Sequence, residues 1–289
     1  MKLRAASTIT SAFEQFKGRL EITDLQASTV SARQQNVREA VEKELEVLTS
    51  FLIGAYPRHT LIAPLNEADI DIFMVLDPKY FVSDGQANLL DRVKRVLQRI
   101  YRTPKISRNG QAVTITFNDF LVDVVPAFNR NGGGYLIANS ISETWVSTDP
   151  TVHINVIAKG NAAHDGDLVP LIKMIRAWNR NIGHPFVCLY LELIANEMLT
   201  GVTISDYPSA LRYFFDKGRE RIKTKISDPA GFAGQINGLE SGSLSDAISQ
   251  IETAYARAIK AEGYARDGYS SLATDEWRKI FGDYFPAYG

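Results

Sequence analysis

The periodicity of the apolar residues changes at Pro150, and this change constrains the fold of the 289-residue chain most strongly. Before Pro150, short segments alternate apolar and polar residues, which is typical of β-strands. After it, apolar residues recur every three or four positions, which is typical of amphipathic helices. We therefore predict an α/β (α+β) first domain, residues 1–158, and an α-helical second domain, residues 159–289. The helices predicted in the second domain are 168–179, 186–199, 207–217, 243–262 and 272–281.

The first domain is predicted to begin with a long helix over residues 31–52. Ser31 and Gln34 have the spacing of a capping box, and apolar residues follow at three and four spacings up to Leu52. Gly54 would then end the helix. The further predicted elements are a strand over 69–76, a helix over 89–100, and strands over 112–117 and 120–126.

Two aspartates open the first predicted strand. Residues i and i+2 of a strand point to one face, so the carboxylates of Asp69 and Asp71 should project together. Asp123 is a third acid, and it interrupts the apolar run FLVDVVP, where an unpaired carboxylate would be costly to bury. Three such acids on one face would hold Mg²⁺ and would suit two-metal phosphoryl or nucleotidyl transfer. The alternative is an exposed Asp69, with Asp71 and Asp123 in structural ion pairs.

A short segment upstream of the acids has the residues of a phosphate-binding turn. Gly54 and Ala55 could offer backbone N–H groups to a phosphate because glycine permits a close approach. Arg58 and Thr60 follow as candidates for an anion-binding side chain and a hydroxyl donor. The alternative for the Gly-Ala pair is a helix C-cap.

Composition narrows the class of partner and the compartment. The chain has 32 basic and 33 acidic residues, for a net charge of −1, which disfavours an obligate nucleic-acid partner. Cys188 is the single cysteine, so no intramolecular disulfide is possible. No segment approaches the roughly 18–20 apolar residues that span a bilayer, and no signal peptide opens the chain. We expect a cytoplasmic protein that does not bind membranes.

The segment around the first two acids resembles a known signature. Residues 54–76 read GAYPRHTLIAPLNEADIDIFMVL, similar to the Gly-Gly/Ser…Asp-x-Asp signature of the DNA polymerase β nucleotidyltransferase superfamily. The chain more closely resembles the cGAS/DncV-like nucleotidyltransferases (CD-NTases), which are bacterial second-messenger synthases. The other segments that recur in that family's order are VDVVPAF, WVSTDPTVH, LIKMIRAWN, CLYLELI and WRKIFGDYFP.

The resemblance implies a fold and a site. The fold would be a polymerase-β-like palm sheet with a long spine helix, about residues 34–52, and an α-helical C-terminal lobe. Asp69 and Asp71 would bind two Mg²⁺ ions, with Mn²⁺ as a substitute, and Asp123 would hold the ion at the acceptor hydroxyl. Lys173 would contact the donor triphosphate; the alternative for this residue is a solvated lysine on a helix face.

The resemblance also implies an activity. The enzyme would make a cyclic di- or trinucleotide, or a linear oligonucleotide, from NTPs with release of pyrophosphate, in antiphage signalling of the CBASS type. ATP and GTP would be the main substrates, with pyrimidine nucleotides as a further option. A partner enzyme with E1/E2-like activity could conjugate the chain through Gly289.

Two residues depart from the family pattern. Ala55 and Cys188 stand where relatives commonly have serine, and these changes would weaken or reshape triphosphate binding. They keep an alternative open, namely a weakly catalytic sensor or scaffold that binds NTPs. A second alternative is a nucleotidyltransferase that acts on RNA, a protein or a small molecule.

Overall fold

The structure is a computed structural model that describes residues 7–289. Its helices are α1 (Ile9–Arg19), α2 (Asp24–Glu42), α3 (Gln86–Ile100), α4 (Pro150–Ala163), α5 (Leu168–Asn181), α6 (Cys188–Leu199), α7 (Tyr207–Arg221), α8 (Leu244–Arg266) and α9 (Ser270–Phe281). Its strands are β1 (Val47–Ile53), β2 (Asp69–Leu76), β3 (Lys105–Asn109), β4 (Ala112–Thr116), β5 (Leu121–Asn129), β6 (Tyr135–Asn139), β7 (Thr144–Thr148), β8 (Ile226–Ser227) and β9 (Gln235–Ile236). No helix within residues 7–289 combines the length and the apolar character needed to cross a bilayer.

Contacts between residues divide the chain into two compact units. The sheet unit is Ile22–Asn155 with the short segment Pro229–Ala233. The helical unit is Val156–Asp228 and Gly234–Gly289, together with the segment that ends at Glu21. The predicted division kept residues 1–158 together. By contacts, however, α1 groups with the helical unit, because its phenylalanines pack among the aromatic rings of that unit's core: Phe13, Phe16, Trp277, Phe281 and Phe285.

The sheet unit is built on one seven-stranded sheet with the order β1-β2-β5-β4-β3, and β6 and β7 continue from β5. Strands β2 and β5 run parallel, whereas the other neighbouring pairs are antiparallel. On one face, alternate strand residues such as Ile72 and Val124 join the apolar side chains of α2 and α3 in the main core. The other face carries a smaller apolar cluster that includes Phe73 and Val125. Asp69, Asp71 and Asp123 share the alternation of this second face.

The prediction of one helix over residues 31–52 is wrong at both ends. The helix α2 begins at Asp24, where Thr23 and Gln26 form the capping box, and it ends at Glu42. Residues 47–53 form β1 instead, because their backbone pairs with β2 from Val47 opposite Leu76 to Ile53 opposite Asp71. The three-and-four spacing of apolar residues therefore continued by coincidence into a strand, and Leu48 is 50% exposed.

The other predicted elements agree with the structure to within a few residues, except that β5 continues to Asn129. Besides β1, five strands (β3, β6, β7, β8 and β9) and the helices α1 and α4 were not predicted. In β3 (KISRN) only Ile106 is buried, so the segment lacks a strand's apolar alternation. The predicted palm-like sheet followed by a helical lobe is confirmed.

Candidate active site

The three predicted acids come together at the start of two parallel strands. Asp71 on β2 is the direct neighbour of Asp123 on β5, and Asp69 precedes Asp71 by two residues on the same strand face. One carboxylate oxygen from each acid lies within 4.8 Å of those of the other two. Within residues 7–289 this is the one group of three or more acids, histidines or cysteines that could hold a metal ion.

The register of β2 and β5 accounts for this convergence. The N–H of Leu121 donates to the carbonyl of Ala68 at 3.2 Å, so β5 enters the sheet level with the first residue of β2. The residues of β5 from Leu121 to Ala127 then lie opposite successive residues of β2, and the last pair is Ala127 opposite Val75. A shift by one residue would turn Asp123 into the main core, because successive side chains point to opposite faces.

Burial differs among the three carboxylates. Asp69 is exposed, Asp71 is half-buried and Asp123 is 9% exposed. Burial and the charges of Asp69 and Asp123 raise the pKa of Asp71 to about 8, while Arg58 opposes this shift. Burial also raises the pKa of Asp123; the Thr114 hydroxyl opposes that shift, and the Asp69 charge adds to it. Three ionised carboxylates would therefore carry more negative charge than their surroundings stabilise, so Asp71 keeps a proton near neutral pH when no cation is bound.

The donor set fits a hard divalent cation. Oxygens that ligate one Mg²⁺ lie up to about 4.2 Å apart, so carboxylates at this spacing need only a small adjustment to share an ion. In addition, Oδ1 of Asp123 is buried and has no hydrogen-bond partner within residues 7–289. A buried carboxylate oxygen without a partner is costly, and coordination of a cation would satisfy it.

Gly54 opens the turn that follows β1, directly beside Asp71. It adopts a φ of +74°, and a Cβ atom at this position would stand 1.9 Å from Oδ2 of Asp71. The turn is closed by Thr60, which is fully buried and donates both its N–H and its hydroxyl to the carbonyl of Ala55, at 3.0 and 3.4 Å. The structure thus brings Gly54 and Arg58 to the acids, whereas the Thr60 hydroxyl is engaged inside the turn.

Two predicted nucleotide-binding residues lie in the helical unit. Lys173 on α5 is 7% exposed, and its Nζ donates to Oε2 of Glu21 at 2.6 Å. Cys188 is the first residue of α6 and is half-buried. Neither Glu21 nor Thr114 was singled out from the sequence. The alternation of residues along β4 could have revealed Thr114, since it places this hydroxyl on the strand face opposite to the apolar Val113 and Ile115.

A parallel strand pair that brings three carboxylates together, beside the glycine turn that follows β1, defines the palm of a nucleotidyltransferase. The profile of a family described as "Second Messenger Oligonucleotide or Dinucleotide Synthetase domain" (SMODS) matches residues 8–161, more than half of the chain. The chain belongs to this family, and the predicted membership among the CD-NTases is confirmed.

Curated relatives and solved structures agree with this assignment. A probable cyclic nucleotide synthase of Bacillus cereus is 26% identical over 271 residues, covering 81% of this chain and 81% of the relative. A cyclic AMP-AMP-AMP synthase of Acinetobacter sp. is 24% identical over 294 residues, covering 92% of this chain and 83% of the relative. The structure of CdnC from Escherichia coli MS115-1 with ATP superposes with a TM-score of 0.73 at 18% identity, over 96% of this chain and 99% of that one, which establishes the shared fold.

Proposed function

We propose that this protein is a Mg²⁺-dependent synthase that joins NTPs into a cyclic di- or trinucleotide and releases pyrophosphate. The observation that carries the proposal is the convergence of Asp69, Asp71 and Asp123 within 4.8 Å, in a chain of the second-messenger synthetase family. The relatives that are named as cyclic nucleotide synthases support a cyclic product. Such a product would act as an antiphage signal of the CBASS type, made in the cytoplasm where NTPs are available.

In the reaction, a ribose hydroxyl of the acceptor attacks the α-phosphorus of the donor NTP. A new P–O bond forms, the bond to the bridging oxygen of the β-phosphate breaks, and pyrophosphate leaves. Two Mg²⁺ ions, held by Asp69 and Asp71 and in one case also by Asp123, would activate the hydroxyl and neutralise phosphate charge. Asp123 would help to remove the hydroxyl proton, and Arg58 would add positive charge beside Asp71.

Backbone and side-chain groups would bind the donor. Gly54 carries no side chain, so a phosphate could approach its backbone closely, whereas Ala55 is 8% exposed and packs in the main core. We assign the donor triphosphate to this turn, to Arg58 and to Lys173. In the present state Lys173 is paired with Glu21.

The test is a reaction of the purified protein with each NTP, singly and in combination, in Mg²⁺. After phosphatase treatment, mass spectrometry should find a resistant product and pyrophosphate should accumulate. Asp69→Asn and Asp71→Asn should abolish this product. Asp84→Asn, which changes an exposed aspartate of the same unit, is the matched control and should retain it.

The other outcomes identify the alternatives. If labelled NTPs are used, transfer of the label to added tRNA or protein, in place of a free nucleotide, would indicate a different acceptor. NTP binding by calorimetry without turnover, in Mg²⁺ and in Mn²⁺, would indicate a sensor or scaffold. Ala55 favours the sensor or scaffold, because it lacks the serine hydroxyl that the resemblance to the family leads us to expect at this position.

Partner proteins would control the activity. CdnC from Escherichia coli MS115-1 is also solved in a complex with a HORMA protein, which supports a regulatory partner for this chain. Conjugation at Gly289 by an E1/E2-like enzyme is a second form of control. Mass spectrometry of the C-terminal peptide after co-expression with neighbouring genes would reveal an added group there.

A further inference from the structure

One row of side chains crosses three neighbouring strands of the sheet. Asp71 on β2 lies opposite Asp123 on β5, and Asp123 in turn lies opposite Thr114 on β4. Residues that face each other across paired strands have their Cβ atoms about 4.5–5.5 Å apart and share one face of the sheet. Thr114 is therefore the nearest neighbour of Asp123 on the side away from Asp71.

The two polar groups of this pair are both buried without a partner. Thr114 is 7% exposed, and Asp123 is 9% exposed. The Thr114 hydroxyl is near enough to Asp123 to lower the pKa of that carboxyl, yet neither Oγ1 of Thr114 nor Oδ1 of Asp123 completes a hydrogen bond within residues 7–289. A buried hydroxyl that makes no hydrogen bond destabilises a fold, and valine would fill the same volume without that cost. Packing alone thus does not explain a threonine at this position.

The hydroxyl and the carboxylate have complementary requirements. Asp123 has two oxygens, and an oxygen that turns toward a cation leaves the other in need of a donor. The hydroxyl of Thr114 can rotate freely and is the donor placed beside it. Groups that hydrogen-bond a metal-ligating carboxylate fix its orientation, and their removal commonly weakens metal binding.

We propose that Thr114 is a positioning residue for the metal site, whose hydroxyl donates a hydrogen bond to the Asp123 carboxylate when a divalent cation is bound. The proposal rests on the proposed function for the role of Asp123, but it concerns the binding of the ion rather than the nature of the product. Thr114 acts through Asp123 and does not touch substrate.

Three threonine variants test the proposal. Thr114→Val removes the hydroxyl and keeps the shape, Thr114→Ser keeps the hydroxyl, and Thr116→Val makes the same change two residues along β4, on the same face. Mn²⁺ affinity is measured without nucleotide, from the loss of the free-ion signal in electron paramagnetic resonance. We expect Thr114→Val to weaken Mn²⁺ binding by roughly 10-fold to 100-fold. Thr114→Ser should restore most of it, and Thr116→Val should match the wild type.

Thermal unfolding of the metal-free protein distinguishes this role from a purely structural one. If Thr114 only stabilised the fold, its replacement would lower the unfolding temperature. Thr114→Val should unfold at the wild-type temperature or above it, because it removes an unpaired buried hydroxyl. In the synthesis reaction it should lower kcat while the KM for NTP stays near the wild-type value. A lower unfolding temperature, or wild-type Mn²⁺ affinity in Thr114→Val, would overturn the proposal.

The experiment separates this inference from the proposed function. If the wild type binds Mn²⁺ but makes no nucleotide product, the proposed function fails, whereas the comparison of the threonine variants still stands. If the wild type makes product and Thr114→Val binds Mn²⁺ equally well, only the role of Thr114 fails. Asp123→Asn provides the reference for a site that has lost this ligand.

Discussion

Replacing Gly54 with alanine adds one methyl group next to the metal-binding acids and tests the geometry of the site directly. The new Cβ atom would stand 1.9 Å from Oδ2 of Asp71 and 3.0 Å from its Cγ. The atom it meets is the end of a side chain, so the fold can accommodate the methyl group by turning the carboxylate away. The site cannot, because that carboxylate is required as a ligand.

The structure gives the size of two effects of this substitution, one on the rate and one on the stability. Oδ2 must move from 1.9 Å to at least 3.0 Å, a displacement of about 1 Å. Misplacement of a reacting or coordinating group by that distance costs about 100-fold in rate. The effect on stability is modest, since a φ of +74° costs an L-residue roughly 1–2 kcal/mol of backbone strain, or a few degrees in unfolding temperature. We expect an enzyme that is folded but nearly inactive.

Gly201→Ala is the matched control. Gly201 has a φ of +75°, nearly identical to that of Gly54, but no heavy atom lies within 4 Å of the position of its added Cβ. The two variants therefore share the backbone strain and differ in the collision with Asp71. Initial rates of product formation, Mn²⁺ affinity and unfolding temperature are measured for both.

If the geometry is correct, both variants lose similar stability, and Gly54→Ala alone loses metal affinity and rate. Equal activity in the two variants would refute the reasoning, because it would mean that Asp71 does not need its present position. Unfolding of Gly54→Ala at much lower temperature than Gly201→Ala would show that the carboxylate cannot turn away and that the turn is structural.

The remaining predictions concern charge. Because the pKa of Asp71 is raised to about 8, a bound cation must displace a proton, so Mn²⁺ affinity should rise about tenfold per pH unit below that value; a flat titration would contradict this. In metal-free protein the folded state holds a proton that the unfolded state has released, so stability should fall as pH rises from about 4 to about 8. Asp71→Asn should flatten that slope in urea unfolding, and an unchanged slope would exclude Asp71 as its source. Arg58→Gln removes a charge that lowers this pKa and should shift the rise in Mn²⁺ affinity to higher pH, whereas an unshifted curve would show no coupling. Lys173→Met should raise the KM for NTP more than it lowers kcat, and an unchanged KM would remove Lys173 from the triphosphate site.

The acidic site could be predicted from the sequence because the information is local. Alternation along a strand puts Asp69 and Asp71 on one face whatever the rest of the chain does. Asp123 was recognisable because it interrupts an apolar run. The pairing of Asp71 with Asp123 came from the resemblance to a family, since no property of either segment fixes the register between them.

The structure differs from the prediction where hydrogen bonds between segments that are distant in the sequence determine the secondary structure. Residues 47–53 satisfy a helical pattern, but hydrogen bonds to β2 make them the strand β1, which the spacing of apolar residues cannot reveal. The same applies to Gly54, which was predicted to let the backbone approach a phosphate closely. In the structure its missing side chain leaves room for the Asp71 carboxylate, and this requirement depends on β1 and β2 being neighbours.

Burial along β2 explains why the site destabilises the metal-free protein. The strand begins at an exposed Asp69 and is buried from Ile72 onward, so Asp71 lies where water is being excluded and two like charges are close. A fold selected for stability alone would place an amide or an apolar residue there. The same imbalance gives a cation its affinity, because binding relieves the repulsion that the metal-free protein must bear. Substitutions that stabilise the metal-free protein at Asp71 or at Thr114 should therefore be the ones that weaken metal binding, and a variant that improved both would contradict this account of the site.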